Sequence, residues 1–156
     1  MSIAPIRTSV TTKAPPPRAF ELFASHMGEW WPKGMTTGAN PAADIVVEPR
    51  PGGRWFERDA QGVETRWGDV IAWDPPRRLL LAWRLNARFT YDPDLLTEVE
   101  LTFRPLPEGG TQVDLEHRDL ARLGVDAAGL APRMQDGWTT IITAFAAMAS
   151  SAQQGT

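Results

Sequence analysis

The 156-residue chain has no cysteine. Without thiols there is no disulfide framework, no thiolate nucleophile, no iron–sulfur cluster and no cysteine-based zinc site. Histidine is almost as scarce, at two, which leaves little to ligate a metal. No HExxH, GxSxG, EF-hand or paired zinc-ligand spacing occurs, so a metal centre, a triad hydrolase and a resident cofactor are not expected. An excess of positive charge is also missing. Sixteen basic against nineteen acidic side chains leave a net charge of −3, which argues against nucleic acid or an anionic membrane surface as partner. Long hydrophobic runs are absent too. The stretch from Gly137 to Thr156 carries no charge, yet its threonines, serines and glutamines make it too polar to span a bilayer. The opening residues, Met1 to Arg7, lack the basic start and apolar run of a secretory signal, so the cytoplasm is the expected location.

Tyrosine occurs once, but tryptophan seven times. Each indole buries on the order of 150–250 Å², so seven of them make either a heavy core or the walls of a cavity. The length suits one domain, 1–156, with its core over about 6–149, and a domain of this size buries roughly 68–70% of its unfolded surface without staples.

The β-branched alternation of Ile6 to Thr12 predicts a first strand. The Pro15-Pro16-Pro17 run then starts a helix whose apolar face is Phe20, Phe23, Ala24 and Met27, closed by Gly28. An irregular stretch from Trp30-Trp31-Pro32 to Pro41 follows. Beyond it, short β runs alternate with turns: Asp44 to Glu48, Arg54 to Arg58, Val63 to Trp73, Arg77 to Leu85, Leu96 to Arg104 and Thr111 to Arg118. Pro51-Gly52-Gly53 and Gly109-Gly110 read as hairpin turns, since neither has the context of a phosphate loop. Pro132 is placed as the first residue of a last helix, with Met134, Trp138, Ile141, Phe145 and Met148 on one face. The fold class is therefore α+β: a curved antiparallel sheet of about seven strands wrapped around a long C-terminal helix. Alternation puts Trp67, Asp69 and Ile71 on one face of their strand. It groups Leu79, Leu81 and Trp83, then Val99, Leu101 and Phe103, then Val113, Leu115 and His117, in the next three.

Several blocks in order, from about Arg7 to Met148, carry a resemblance. They are Arg18-Ala19-Phe20-Glu21-Leu22-Phe23, Trp30-Trp31-Pro32, Pro51-Gly52-Gly53-Arg54-Trp55, Trp67-Gly68, Trp73-Asp74-Pro75-Pro76-Arg77-Arg78-Leu79, the run from Gly110 to His117, and Gly137-Trp138. Together they resemble the activator of heat-shock protein 90 ATPase homologue family of the START-like (SRPBCC) superfamily. The resemblance implies the helix-grip fold, with a cavity between the sheet and the last helix. Superfamily members include lipid and hormone carriers, polyketide cyclases and a co-chaperone, so three functions stay open. They are binding of a small hydrophobic molecule, a cyclase-like or hydratase-like enzyme using the same cavity, and a stress-related domain that binds a protein partner. A homodimer fits a domain of this superfamily, though no residue pattern demands one.

The candidate cavity residues come from three places. The sheet offers Trp55, Trp67, Trp83, Leu101, Phe103 and His117, the last helix offers Met134, Trp138 and Ile141, and the loops offer Trp31, Phe89 and Tyr91 at the entrance. His117 is the one catalytic candidate: an imidazole in an otherwise apolar strand phase is either a general base or a satisfied wall residue. Asp69, Glu57 and Arg84 are candidates for its partner, and Arg84 or His117 for orienting a ligand's polar end. Gly137 within the helical pattern marks a close approach, either of a strand or of a ligand, and close helix–sheet packing is the expected cause. His26, at the end of the first helix, is read as structural or solvated.

Overall fold

The structure is a computed structural model and describes residues 3–154. Its elements in chain order are β1 (Ile6–Thr12), α1 (Pro16–Ser25), α2 (Met27–Trp30), β2 (Ala42–Val47), β3 (Arg54–Asp59), β4 (Glu64–Asp74), β5 (Arg78–Trp83), β6 (Thr97–Pro105), β7 (Thr111–Arg118) and α3 (Ala127–Gln154). A 3-10 turn, Leu120–Leu123, leads into α3. The strands form one antiparallel sheet in the order β1-β7-β6-β5-β4-β3-β2. The sheet curls around α3, which is the helix-grip arrangement.

The strictest alternation lies in β6 and β7. Val99, Leu101 and Phe103, with Val113, Leu115 and His117, are buried, while the residues between them stay partly open to water. That period of two is what a sheet with one covered face requires. The opposite face is laced with charge: Arg118 bonds Glu98, Glu100 and Glu116, and Arg104 pairs with Asp114. Under the buried face α1 contributes Phe20 and Phe23, which pack on Phe103, and Phe23 also meets Phe145 of α3.

Four local expectations are corrected. First, Gly28 does not close the first helix. The break falls at His26, whose ψ of 29° at φ −127° leaves the helical region, and Gly28 lies inside α2. A Cβ on Gly28 would sit 2.8 Å from Ile45 N, so this glycine is set by the close crossing of α2 over β2.

Second, α3 begins at Ala127, five residues before Pro132, which therefore sits inside the helix. The proline lacks the N–H that would reach the carbonyl of Ala128, and near a helix start that loss is confined to a single bond. Third, β5 ends at Trp83, and Leu85 instead forms an isolated bridge with Tyr91.

Fourth, Trp67, Asp69 and Ile71 do not share a face. The register of β4 shifts once opposite Trp55/Phe56 and again between Val70 and Ala72. Each extra residue reverses the alternation beyond it. Trp67 is consequently buried inward, Asp69 bonds Arg84 away from the core, and Ile71 is 37% exposed. Between the two shifts Gly68 meets β5 so closely that a Cβ there would collide with the carbonyl of Ala82.

Candidate functional site

A cavity of about 470 Å³ lies between the sheet and the first half of α3, within the size range of small-molecule sites. Arg133, Met134, Gly137, Trp138 and Ile141 of α3 line it, at the spacings that place residues on one helical face. Trp31 and the segment Gly34 to Thr37 form the facing wall. Trp67 of β4 and Trp83 of β5, with Leu85, make the floor, and Arg88 and Phe89 reach in from the loop between β5 and β6.

The indoles form a closed circuit. Trp31 packs against Trp55, Trp67 and Trp138, and Trp83 bridges Trp55 to Trp138, with ring centroids 5.0–6.5 Å apart. Three of the four indoles that line the cavity are anchored through their N–H groups. Trp31 Nε1 donates to Met35 O at 2.8 Å, Trp67 Nε1 to Glu57 Oε1 at 2.9 Å and Trp138 Nε1 to His117 Nδ1 at 3.0 Å. Bonded to protein in this way, those rings leave apolar faces for the cavity.

Glu57 is only 2% exposed. Its Oε1 also accepts from Thr37 N at 2.6 Å and Thr37 Oγ1 at 3.1 Å. One buried carboxylate thus ties the facing wall to the sheet behind Trp67.

His117 is fully buried behind Trp138. Because its Nδ1 accepts from Trp138, its proton sits on Nε2, which donates to Thr97 Oγ1 at 2.8 Å, and Thr97 passes its own hydrogen to Trp83 O at 3.0 Å. Burial holds the imidazole neutral and pushes its pKa down to about 3. Both nitrogens are therefore used in positioning Trp138 and β5, and His117 does not reach the cavity surface. It bonds to none of Asp69, Glu57 and Arg84. Arg84 points elsewhere, its guanidinium bonded to Asp69 and to the carbonyls of Pro93 and Leu95, so it does not orient a ligand.

Of the sequence-derived set, the cavity brings together Trp31, Trp67, Trp83, Phe89, Met134, Trp138 and Ile141. Trp55 lies one layer deeper, packed on three other indoles. Its Nε1 is buried with no partner among the described residues. Leu101 lies in the core, Phe103 packs against Phe20 of α1, and Tyr91 stands beside Arg66, 5.5 Å from ring centre to guanidinium. Gly137 faces open space: a Cβ there would have only Met35 Cε within reach, at 3.4 Å. The cavity, and not close helix–sheet packing, accounts for this glycine.

Sequence reasoning missed Gly34, Met35, Thr36, Thr37, Leu85, Arg88 and Arg133. Arg133 was within reach, since it lies four residues before Gly137 on the face already defined by Trp138 and Ile141. The segment Gly34 to Thr37 has no periodicity that would have given it away.

The entrance loop carries strain. Phe89 has φ 57°, a left-handed value that costs a bulky residue roughly 1–2 kcal/mol. It is held there by Phe89 N donating to Asn86 O, while Arg88 N and Thr90 N both donate to Asn86 Oδ1. The result is a half-exposed phenyl ring fixed at the cavity mouth. Among the described residues, no cluster of three or more His, Asp or Glu is placed to hold a metal, and no helix is long and apolar enough to cross a membrane.

The family model for Activator of Hsp90 ATPase homolog 1-like protein matches residues 13–150. CalC from Micromonospora echinospora, a self-sacrificing resistance protein, is 36% identical; the match covers 95% of each chain with a TM-score of 0.72. Txn09, an anthrahydroquino-gama-pyrone synthase complexed with SUM, is also 36% identical, over 83% of this chain and 86% of that one, with a TM-score of 0.59. Protein NE0264 from Nitrosomonas europaea shares the fold at 15% identity, covering 97% and 99% of the two chains with a TM-score of 0.68. No curated protein matches the chain.

Proposed function

Given that the chain belongs to the family of Activator of Hsp90 ATPase homolog 1-like proteins, we propose that its cavity binds a small, planar, apolar molecule between the sheet and α3. The observation that carries this reading is the wall itself: four indoles, three of them locked by hydrogen bonds into the protein, around about 470 Å³. Burial of apolar surface at about 25 cal/mol per Å² supplies the affinity, and rigid walls lower its entropic cost. Likeness to CalC and Txn09 supports a role in handling such a molecule, by resistance or by synthesis.

Gly137 supplies a clean test, because a side chain placed there projects into the cavity. N-phenyl-1-naphthylamine, a neutral dye that brightens in apolar surroundings, is titrated into the wild type and into Gly137→Leu. The wild type is expected to bind it, and the variant to bind at least about tenfold more weakly. The variant should unfold at the same temperature or higher, since leucine gains about 0.8 kcal/mol of helix propensity over glycine. Equal binding by both proteins would place the ligand elsewhere.

A second reading, conversion of the ligand in the same cavity, is favoured by the likeness to a synthase. It requires chemistry without His117, whose nitrogens are both engaged. Its signature would be a bound mass, read by native mass spectrometry, that differs from the mass of the compound added.

A further inference from the structure

We propose that the ligand is an aromatic acid or phenolate, and that Arg88 and Arg133 hold its anionic oxygen group at the mouth of the cavity. This rests on the reading of the cavity as a small-molecule site and adds to it the class of molecule.

The chain has fourteen arginines. Eleven of them are in ion pairs with carboxylates. Among the described residues, only Arg77, Arg88 and Arg133 have no carboxylate partner. Two of these three line the same cavity, and no aspartate or glutamate lines it with them. In a chain of net charge −3, the cavity mouth is therefore a local patch of uncompensated positive charge.

The two guanidinium groups approach from different elements. Arg133 projects from α3, one turn before Gly137, and Arg88 from the loop that Asn86 holds in shape. Both residues are exposed, so water solvates their charge while the cavity is empty, and no buried cation is stranded. A planar guanidinium meets a carboxylate or phenolate oxygen with directed N–H donors and stacks on an aromatic face, whereas an ammonium offers only a point charge. The arrangement thus suits a flat apolar body, seated among the indoles, that ends in a negatively charged oxygen.

Two dyes with one ring skeleton separate the charge from the pocket. 8-Anilinonaphthalene-1-sulfonate is N-phenyl-1-naphthylamine carrying a sulfonate, which here stands in for the carboxylate or phenolate. The wild type is expected to bind the sulfonate about tenfold more tightly than the neutral dye at low salt, a preference that shrinks as salt is raised. The double variant Arg88→Gln/Arg133→Gln should lose that preference while its affinity for the neutral dye changes less than about twofold. Arg77→Gln, which removes the third unpaired guanidinium but lies off the cavity, should bind both dyes as the wild type does.

Equal affinity of the wild type for the two dyes overturns the assignment and leaves the pocket reading standing. So does an equal loss on Arg77→Gln, which would mean ion pairing anywhere on the surface. A double variant that weakens both dyes alike overturns it as well. Failure of the wild type to bind either dye removes the pocket reading itself and this inference with it.

Discussion

His117 shows how one side chain settles between two roles that the sequence leaves open. Its inward direction is legible, because Val113, Leu115 and His117 alternate on β7. That it is satisfied is not, because its partners Thr97 and Trp138 lie 20 and 21 residues away in sequence, on β6 and α3. A consequence for stability follows from the sign of its shift. The folded chain refuses a proton until about pH 3, whereas the unfolded chain takes one up below the ordinary value of 6.5. The stability that neutral His117 contributes is therefore fully present above pH 6.5 and drains away as the pH falls toward 3, at up to about 1.4 kcal/mol per unit. Urea unfolding at pH 7, 6 and 5 should show the wild type weakening with this slope and His117→Gln weakening less. Matching slopes would mean that the imidazole is not held neutral by burial.

At the scale of elements, alternation and turn residues place the seven strands to within two residues at every end. Period-two patterning reports burial directly wherever the register is unbroken. What escapes it are features set by a neighbour. The register shifts in β4 depend on how it lies against β3 and β5, and Gly28 is explained by β2 crossing α2. Pro132 reads as a helix start because proline suits the first turn, yet α3 extends beyond it toward its N-terminus.

Gly68 is the most exacting of these positions. Gly68→Ala forces apart β4 and β5 at the Ala82 carbonyl, beneath Trp67 and Trp83. A loss of about 2–4 kcal/mol is expected in chemical denaturation. The neighbouring Gly62, with open space around it, is a poor control because its φ of 88° strains any other residue. Gly129→Ala, with open space and a place in α3, is the better one and should leave stability unchanged or slightly raised.

For the molecule as a whole, the cavity can be anticipated from the tryptophan count and the order of elements, and its far wall cannot. Trp31, Trp67, Trp83 and Trp138 belong to patterned or motif-like stretches, whereas Gly34 to Thr37 come to the site through bonds to two side chains, the Trp31 indole, which donates to Met35 O, and Glu57 of β3, which accepts from Thr37. Of the two rim arginines, Arg133 falls on the α3 face that Trp138 and Ile141 define while Arg88 carries no pattern, and the two stand out together only once eleven of the other twelve arginines are seen to be paired. The indole circuit also has an optical consequence. Six of the seven tryptophans, all but Trp73, touch another indole. Energy absorbed by any one of them will migrate among the rest before it is emitted. Near-ultraviolet emission should therefore be strongly depolarised even in a rigid glass, and an absorbing guest beside Trp83 should darken the distant Trp30 as well. Trp31→Phe removes the indole that Trp30 touches and is expected to weaken its energy transfer and raise the polarisation of the emission, so the protein carries its own built-in gauge of occupancy.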